Sequence, residues 1–312
     1  MPNQPYLSQG DRAMRRFVLF VLAFCAIVGL GALAPRQPFC SRFARSLHVV
    51  HTVRAAQVGS NWSTGECQDN HHNWGQAHVC QMRRTTFALP GGRLSVETEN
   101  GGIQVTGEDR NDVALEARVQ AWAPSDADAK DLLNQVVIET ANGEVRDHAP
   151  KRSHFSREGY AVNYRLRVPR HLAADLHTVN GGVDLSQIEG AIRFATTNGG
   201  VSLSRVEGDV QGHTTNGGLD IALAGDTWHG EGLRAETMNG GVDMRIPSGY
   251  SAHLETGTVN GGISVDFPIT VQGEIKNHLA TDIGHGGPTV HVQTVNGGVS
   301  ITRGGPDSGS GE

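Results

Sequence analysis

Two cysteines and three histidines crowd one short stretch, Cys67-Gln-Asp-Asn-His71-His72-Asn-Trp-Gly-Gln-Ala-His78-Val-Cys80. Two thiolates and two imidazoles make a tetrahedral zinc set, which Cys67, Cys80 and two of His71, His72 and His78 could supply. The same cysteines can instead bond to each other, with the histidines left in water. An exported chain meets oxidising conditions, and that favours a Cys67–Cys80 disulfide, worth at most about 3 kcal/mol for so small a loop. The expectation is therefore a disulfide, no metal and no cofactor. Cys40 has no evident partner, and Cys25 lies in an apolar run.

Other candidate chemistry is sparse. Asp184, Asp220 and Asp243 recur at matching places in a repeat, with Gln104, Ser202, Ser264 and Ser300 at the others. Aspartates stacked along a groove would suit acid–base work on a polysaccharide. The plainer reading is a solvated strand face. Trp228-His229 reads either as a sugar platform or as a packed inserted turn. No Gly-x-Ser-x-Gly, His-Glu-x-x-His or phosphate-binding loop occurs. A net charge of −6 without a basic cluster argues against nucleic acid as a partner. A non-enzyme is expected.

The residues that must position any site belong to one motif, Thr-x-Asn-Gly-Gly-apolar-polar-apolar, which occurs seven times. Its asparagines are Asn100, Asn180, Asn198, Asn216, Asn239, Asn260 and Asn296. Apolar-polar-apolar describes a strand with one buried face, since successive side chains point to opposite sides. Asn-Gly-Gly reads as a turn, because both residue types tolerate positive φ. A hairpin turn would give an antiparallel meander, and a corner in a coiling chain would give a β-solenoid. The 18-residue intervals from Asn180 to Asn198 to Asn216 suit one rung of two strands of about five residues and two turns of about four. The solenoid is favoured. It predicts columns of threonine and asparagine about 4.8 Å apart, with amides bonded along the axis. The fold class expected is thus all-β: a repeat β-solenoid, β-helix-like, with one short helix near 126–134. That helix starts at Ser125, with Asp128 three residues on. Later intervals of 23, 21 and 36 residues break the period. The first excess fits an inserted turn around Trp228. The last fits a degenerate or looped-out rung.

Ahead of the repeats, residues 1–16 end in Arg15-Arg16, and Phe17 to Ala34 is uncharged. Residues 17–34 read as a signal peptide or a single N-terminal hydrophobic helix anchoring the chain, with 1–16 cytoplasmic and the rest outside. Residues 35–66 read as a linker, 67–302 as the β-repeat domain and 303–312 as a disordered tail.

The order and spacing resemble the bacterial putative-adhesin family of β-strand repeat proteins, catalogued as a domain of unknown function. Cys80-Gln-Met-Arg83, the seven Thr-x-Asn-Gly-Gly turns, the run ending at Gly107, Trp228-His-Gly230 and the Arg245-to-Ala252 stretch carry the likeness over about 67–303. The resemblance implies a β-solenoid-like fold, an envelope or extracellular location and no established enzymatic activity. The expected role is a non-catalytic envelope or surface protein acting in adhesion or protein interaction, its partner an envelope protein or a surface glycan. The alternatives are an envelope-stress sensor or scaffold binding another membrane protein, and a carbohydrate-active enzyme on a β-helix.

Overall fold

A strand with one apolar face needs a second surface to bury it, and here the repeats cover one another. The computed structural model describes residues 63–67, 76–149, 157–268 and 277–304, all within the unit Ala56–Glu312. The 17–34 segment, Cys25, Cys40, His71 and His72 lie outside the described residues.

The described part begins with β1 (Ser63–Glu66), antiparallel to β2 (Ala77–Ala88). β1 occupies the end of the stretch expected as linker. Then β3 (Arg93–Asn100) and β4 (Ile103–Glu108) form the first rung around Asn100. β5 (Asp112–Ala123) returns antiparallel along β2, burying Val113, Leu115, Ala117 and Val119 on one face. The single described helix, α1 (Asp126–Gln135), starts where the Ser125 side chain accepts the Asp128 N–H at 3.2 Å. It buries Ala129, Leu132 and Leu133. Its last turn has no basic residue of its own. Arg83 of β2 supplies one, donating to the carbonyls of Val136 at 2.6 Å and Leu133 at 2.8 Å. A cation there satisfies carbonyls that the helix leaves open. Next, β6 (Val137–Ala141) and β7 (Glu144–His148) form a hairpin at Asn142-Gly143, both at positive φ (54° and 79°). Finally β8 (Gly159–Pro169) runs antiparallel to β5 and parallel to β4, while β7 runs parallel to β3. Hairpin, meander and helix together cover the first rung, as the end of a stack requires.

From there the chain coils. β9 (Ala173–Asn180), β10 (Val183–Asn198), β11 (Val201–Asn216), β12 (Leu219–Ala222), β13 (Gly232–Asn239) and β14 (Val242–Ile246) pair in parallel with their equivalents. Thr98 pairs with Thr178, Thr178 with Thr196, Thr196 with Thr214, and Thr214 with Thr237. The chain is a β-solenoid, as the repeat predicted. One detail differs. Each 18-residue rung was expected to have two separate strands and two turns. Instead β10 and β11 run unbroken for 16 residues each. They bend at Gln187 and Arg205, held in the left-handed region (φ 58° and 53°). One such residue per rung leaves the ladder and turns the strand, as a bulge does, and its side chain gives no sequence warning.

Inside the coil, residue sizes are matched between rungs. Phe194 is stacked on Gly212 of the next rung, and a Cβ at Gly212 would lie 2.4 Å from the phenyl ring. The glycine makes room for the ring.

The last part of the chain breaks sequence order. β15 (Ala252–Asn260) and β16 (Ile263–Val265) carry the sixth motif, β17 (His278–Ile283) follows, and β18 (Thr289–Asn296) and β19 (Val299–Arg303) carry the seventh. β18 pairs with β13 on one side and β15 on the other, and β19 likewise with β14 and β16. The seventh rung is therefore inserted between the fifth and the sixth. β17 lies antiparallel on the outer edge of β15 and covers it. The irregular 36-residue interval is this excursion rather than a degenerate rung. Arg303, expected in the tail, ends β19; residues 305–312 lie outside the described residues.

Candidate functional site

The corner is the feature on which every other position depends. Threonine stands on the inner face and its hydroxyl donates to the carbonyl of the first glycine one rung back. Thr178 reaches Gly101 at 2.8 Å, Thr196 reaches Gly181 at 2.8 Å and Thr214 reaches Gly199 at 2.7 Å. The series continues from Thr237 to Gly217, Thr294 to Gly240 and Thr258 to Gly297, each at 2.7 Å. These six hydroxyls are thus satisfied. Asparagine stands outside and its amide donates to the asparagine one rung back. The row runs from Asn260 through Asn296, Asn239, Asn216, Asn198 and Asn180 to Asn100, each step 2.8–2.9 Å.

Interior members of this row give and accept one amide bond each. Asn198→Ala removes both and is expected to cost about 1.5 kcal/mol, since each neutral bond contributes about 0.5–1.5 kcal/mol net. Asn100→Ala, at the end of the row, should cost about half as much. Urea unfolding of both variants checks the ratio.

The glycines serve a different purpose from the one expected. No asparagine of the motif has positive φ, and of its glycines only Gly101 (φ 144°) does. The reason is close approach. A Cβ on the first glycine would lie 2.0 Å from the carbonyl oxygen below it at Gly181, Gly199 and Gly261, and 2.1–2.2 Å away at Gly217, Gly240 and Gly297. The second glycine is less confined: the nearest such oxygen is 3.1 Å away at Gly182 and 3.5 Å at Gly200.

Those second glycines floor an open groove of about 900 Å3. Gly102, Gly182, Gly200 and Gly218 line it together with the outward row Gln104, Asp184, Ser202, Asp220 and Asp243. The repeat brings this row into register: Gln104, Asp184, Ser202, Asp220 and Asp243 are successive partners across the parallel strands. One end is walled by the cap, through Met82, Glu116, Arg118, Asn163 and Arg165. Arg165 donates to Gln104 at 3.0 Å and lies 3.6 Å from Glu116. Asn163 accepts the Gly102 N–H at 3.0 Å. Asp220 pairs with Arg245. Half-burial holds the Asp184 carboxyl above the usual carboxylate range. The groove therefore mixes unobstructed backbone, carboxylates and a basic wall, which suits polar recognition across several rungs.

The sequence located the outward row but not the wall. Glu116, Asn163 and Arg165 belong to strands far away in the chain that carry no motif, so nothing local marked them.

At Cys67 and Cys80 the structure has a disulfide, with Cα atoms 5.7 Å apart. Sulfurs bonded to each other are not zinc thiolates. His78 stacks on Trp122 with ring centroids 6.3 Å apart. Among the described residues no group of three His, Cys, Asp or Glu side chains is placed to hold a metal ion. Trp228 is only 3% exposed and its indole N–H donates to the Gly208 carbonyl at 2.9 Å, so the inserted turn packs it inward instead of presenting it. Its neighbour His229 lies 3.1 Å from Glu207 on the surface.

A second polar cluster lies under the cap. Asp147 on β7 accepts the Tyr164 hydroxyl at 3.0 Å. Burial raises the Asp147 carboxyl above its ordinary value, against the hydrogen bond from Tyr164. Burial and the adjacent carboxylate push Tyr160 up to about 12 and Tyr164 well above its usual value. A carboxyl with a raised folded pKa contributes its stability fully below the unfolded value and loses it as pH climbs through the folded one. Asp147→Asn should therefore gain on the parent protein as pH rises from about 4 to 7. Urea midpoints across that range would show it.

Residues 83–302 match the family model described as Toastrack DUF4097. Among solved structures, a putative cell adhesion protein from Clostridium sporogenes is 11% identical, with a TM-score of 0.41, over 72% of this chain and 99% of its own. A putative adhesin from Bacteroides fragilis is 10% identical, TM-score 0.32, over 71% and 96%. A putative lipid binding protein from Parabacteroides distasonis is 11% identical, TM-score 0.30, over 72% and 96%. No curated protein matches the chain.

Proposed function

The chain belongs to the Toastrack DUF4097 family, and from that premise we propose that it is a non-catalytic protein of the cell envelope or surface that holds a polar partner in its corner groove. One observation carries the reading. The groove crosses several stacked rungs and is floored by backbone, so an extended ligand can lie along it without displacing side chains. The floor is loosest at Gly200, where a Cβ would meet only an ordinary contact at 3.5 Å, and tighter at Gly182 and Gly218, at 3.1 and 3.2 Å. The disulfide fits an oxidising compartment outside the cytoplasm. An apolar segment at 17–34 fits export, with the chain either cut there or tethered by it. Among the described residues no helix is long and apolar enough to cross a membrane.

The partner class is an envelope protein or a surface glycan. Rows of carboxylate and hydroxyl beside a basic wall suit hydrogen-bonding surfaces better than apolar ones. The test is to immobilise the protein and its Ser202→Trp variant, which fills the groove from an outward position. Both are then presented with a glycan array and with solubilised envelope proteins. Capture by the parent and loss in the variant would support the reading. A glycan cleaved during incubation would overturn the non-catalytic assignment. A protein captured equally by both would move the interaction off the groove.

A further inference from the structure

The order of the rungs in space is not their order in the chain. Going away from the cap, the motif asparagines run 100, 180, 198, 216, 239, 296, 260, as the ladder of amide bonds shows. The sixth rung therefore stands off from the fifth by one rung, and the seventh fills the gap. Without β18 and β19 that gap is a slot with two unpaired edges. β13 and β14 form one wall, and β15 and β16 form the other. Both walls present the same Thr and Asn register, so what fills the slot is chosen by the motif rather than by its connection to the chain.

We propose that this slot accepts the C-terminal rung of a second copy of the chain as well as its own, so that β18 and β19 exchange between copies. Every contact that seats the rung lies on β18, the corner or β19, and all are reproduced when the rung comes from another copy. Thr294 donates to Gly240 at 2.7 Å, and Thr258 on the far wall donates to Gly297 at 2.7 Å. His291 lies 3.2 Å from Glu255 on one wall and 3.9 Å from Glu236 on the other. Arg303 covers the Phe267 ring at 4.0 Å, and its backbone N–H donates to Asp266 at 2.9 Å. Those contacts, made by His291 of β18 and Arg303 of β19, set the last rung apart from the others.

The connection is built to allow exchange. β17 lies on the outer side of β15 and β18 on the inner side, so residues 284–288 cross over the start of β15. The crossing is Gly-His-Gly-Gly-Pro, with all three glycines at positive φ (60°, 73° and 143°). Two hydrogen bonds tie it to the start of β15, His285 N–H to the Ser251 hydroxyl at 3.2 Å and His253 N–H to the Pro288 carbonyl at 3.2 Å, and a third closes its own turn, Gly286 N–H to the Ile283 carbonyl at 3.1 Å. Extended, five residues span about 17 Å, roughly three strand spacings, enough to deliver the rung outside its own stack. Once released, the rung and the slot both expose unpaired strand edges, and the lowest-cost repair is pairing with an equivalent edge.

Met238, on one wall of the slot, and Val295, on the rung that fills it, lie between the Thr237–Thr294 and Asn239–Asn296 pairings. Parallel neighbours at that spacing fall within disulfide range. The experiment uses full-length chains carrying Met238→Cys or Val295→Cys alone. They are unfolded together in urea, refolded together at high concentration under oxidation, and mapped by peptide mass spectrometry. Exchange predicts a bond between position 238 of one chain and 295 of the other, enriched at least about tenfold over chains mixed after refolding, because the swap follows mass action. The double variant refolded at low concentration serves as the control and should close the same bond within one chain. Closure in the double variant with no bond between single variants would overturn the exchange. Failure of the double variant to close would overturn the inverted order itself. Neither result depends on what the groove binds.

Discussion

Gly199→Ala is expected to destabilise the protein by about 4 kcal/mol, while Gly200→Ala, one residue on, changes stability by no more than about 0.5 kcal/mol. The two glycines are adjacent in the same corner, and composition alone gives no reason to separate them. Geometry does. A methyl at Gly199 would lie 2.0 Å from the Gly181 carbonyl oxygen and 2.3 Å from its carbon. Both atoms are backbone in a stacked corner with another corner above, so neither can move without parting the rungs. The amide row through Asn180, Asn198 and Asn216 would open with them. At Gly200 the nearest atom is the Gly218 oxygen at 3.5 Å, an ordinary contact. Alanine there also restricts the unfolded chain, which offsets part of any cost. Urea denaturation followed by circular dichroism measures both. Equal losses at the two positions would mean that φ, not close approach, dictates the corner.

Trp228→Ala is expected to cost about 4 kcal/mol, in the range for emptying a buried aromatic site. The indole fills the inserted turn between β12 and β13, and its N–H serves the Gly208 carbonyl. That turn also docks on the rung below, where the Gly208 N–H donates to the His229 carbonyl at 2.8 Å and Gly230 sits against the Gly208 backbone. Trp228→Phe keeps most of the volume and loses the hydrogen bond, so about 1.5 kcal/mol is expected. Thermal unfolding separates the two variants. A near-neutral Trp228→Ala would restore the sugar-platform reading, in which the ring faces solvent.

The sequence made the stack legible because the same residue has the same task at every corner. Thr178, Thr196 and Thr214 recur at a spacing that a coiling chain brings together, and they meet. The start of α1 was equally plain, since Ser125 and Asp128 form a local signal. What could not be read was anything decided between distant segments. Arg83 closes the end of α1 from a strand some fifty residues away. Arg165 and Glu116 wall the groove from the cap. The inverted order of the last two rungs was illegible for a deeper reason. Seven corners with one motif are interchangeable partners, so the pattern that announces the stack cannot rank its members. The ranking rests on β17, whose alternating residues gave no hint that it would pair backwards along β15.

The corner has one further consequence. Side-chain donors of threonine and asparagine all point back towards the cap. The backbone N–H groups at the same corners point the other way, as from Gly199 to the Asn216 carbonyl and from Val201 to the Gly218 carbonyl. Two columns of opposed dipoles run side by side and largely cancel. A long α-helix accumulates partial charge at its ends and attracts ions there; this rod does not. Rungs can be added without the corner dipoles building an end field.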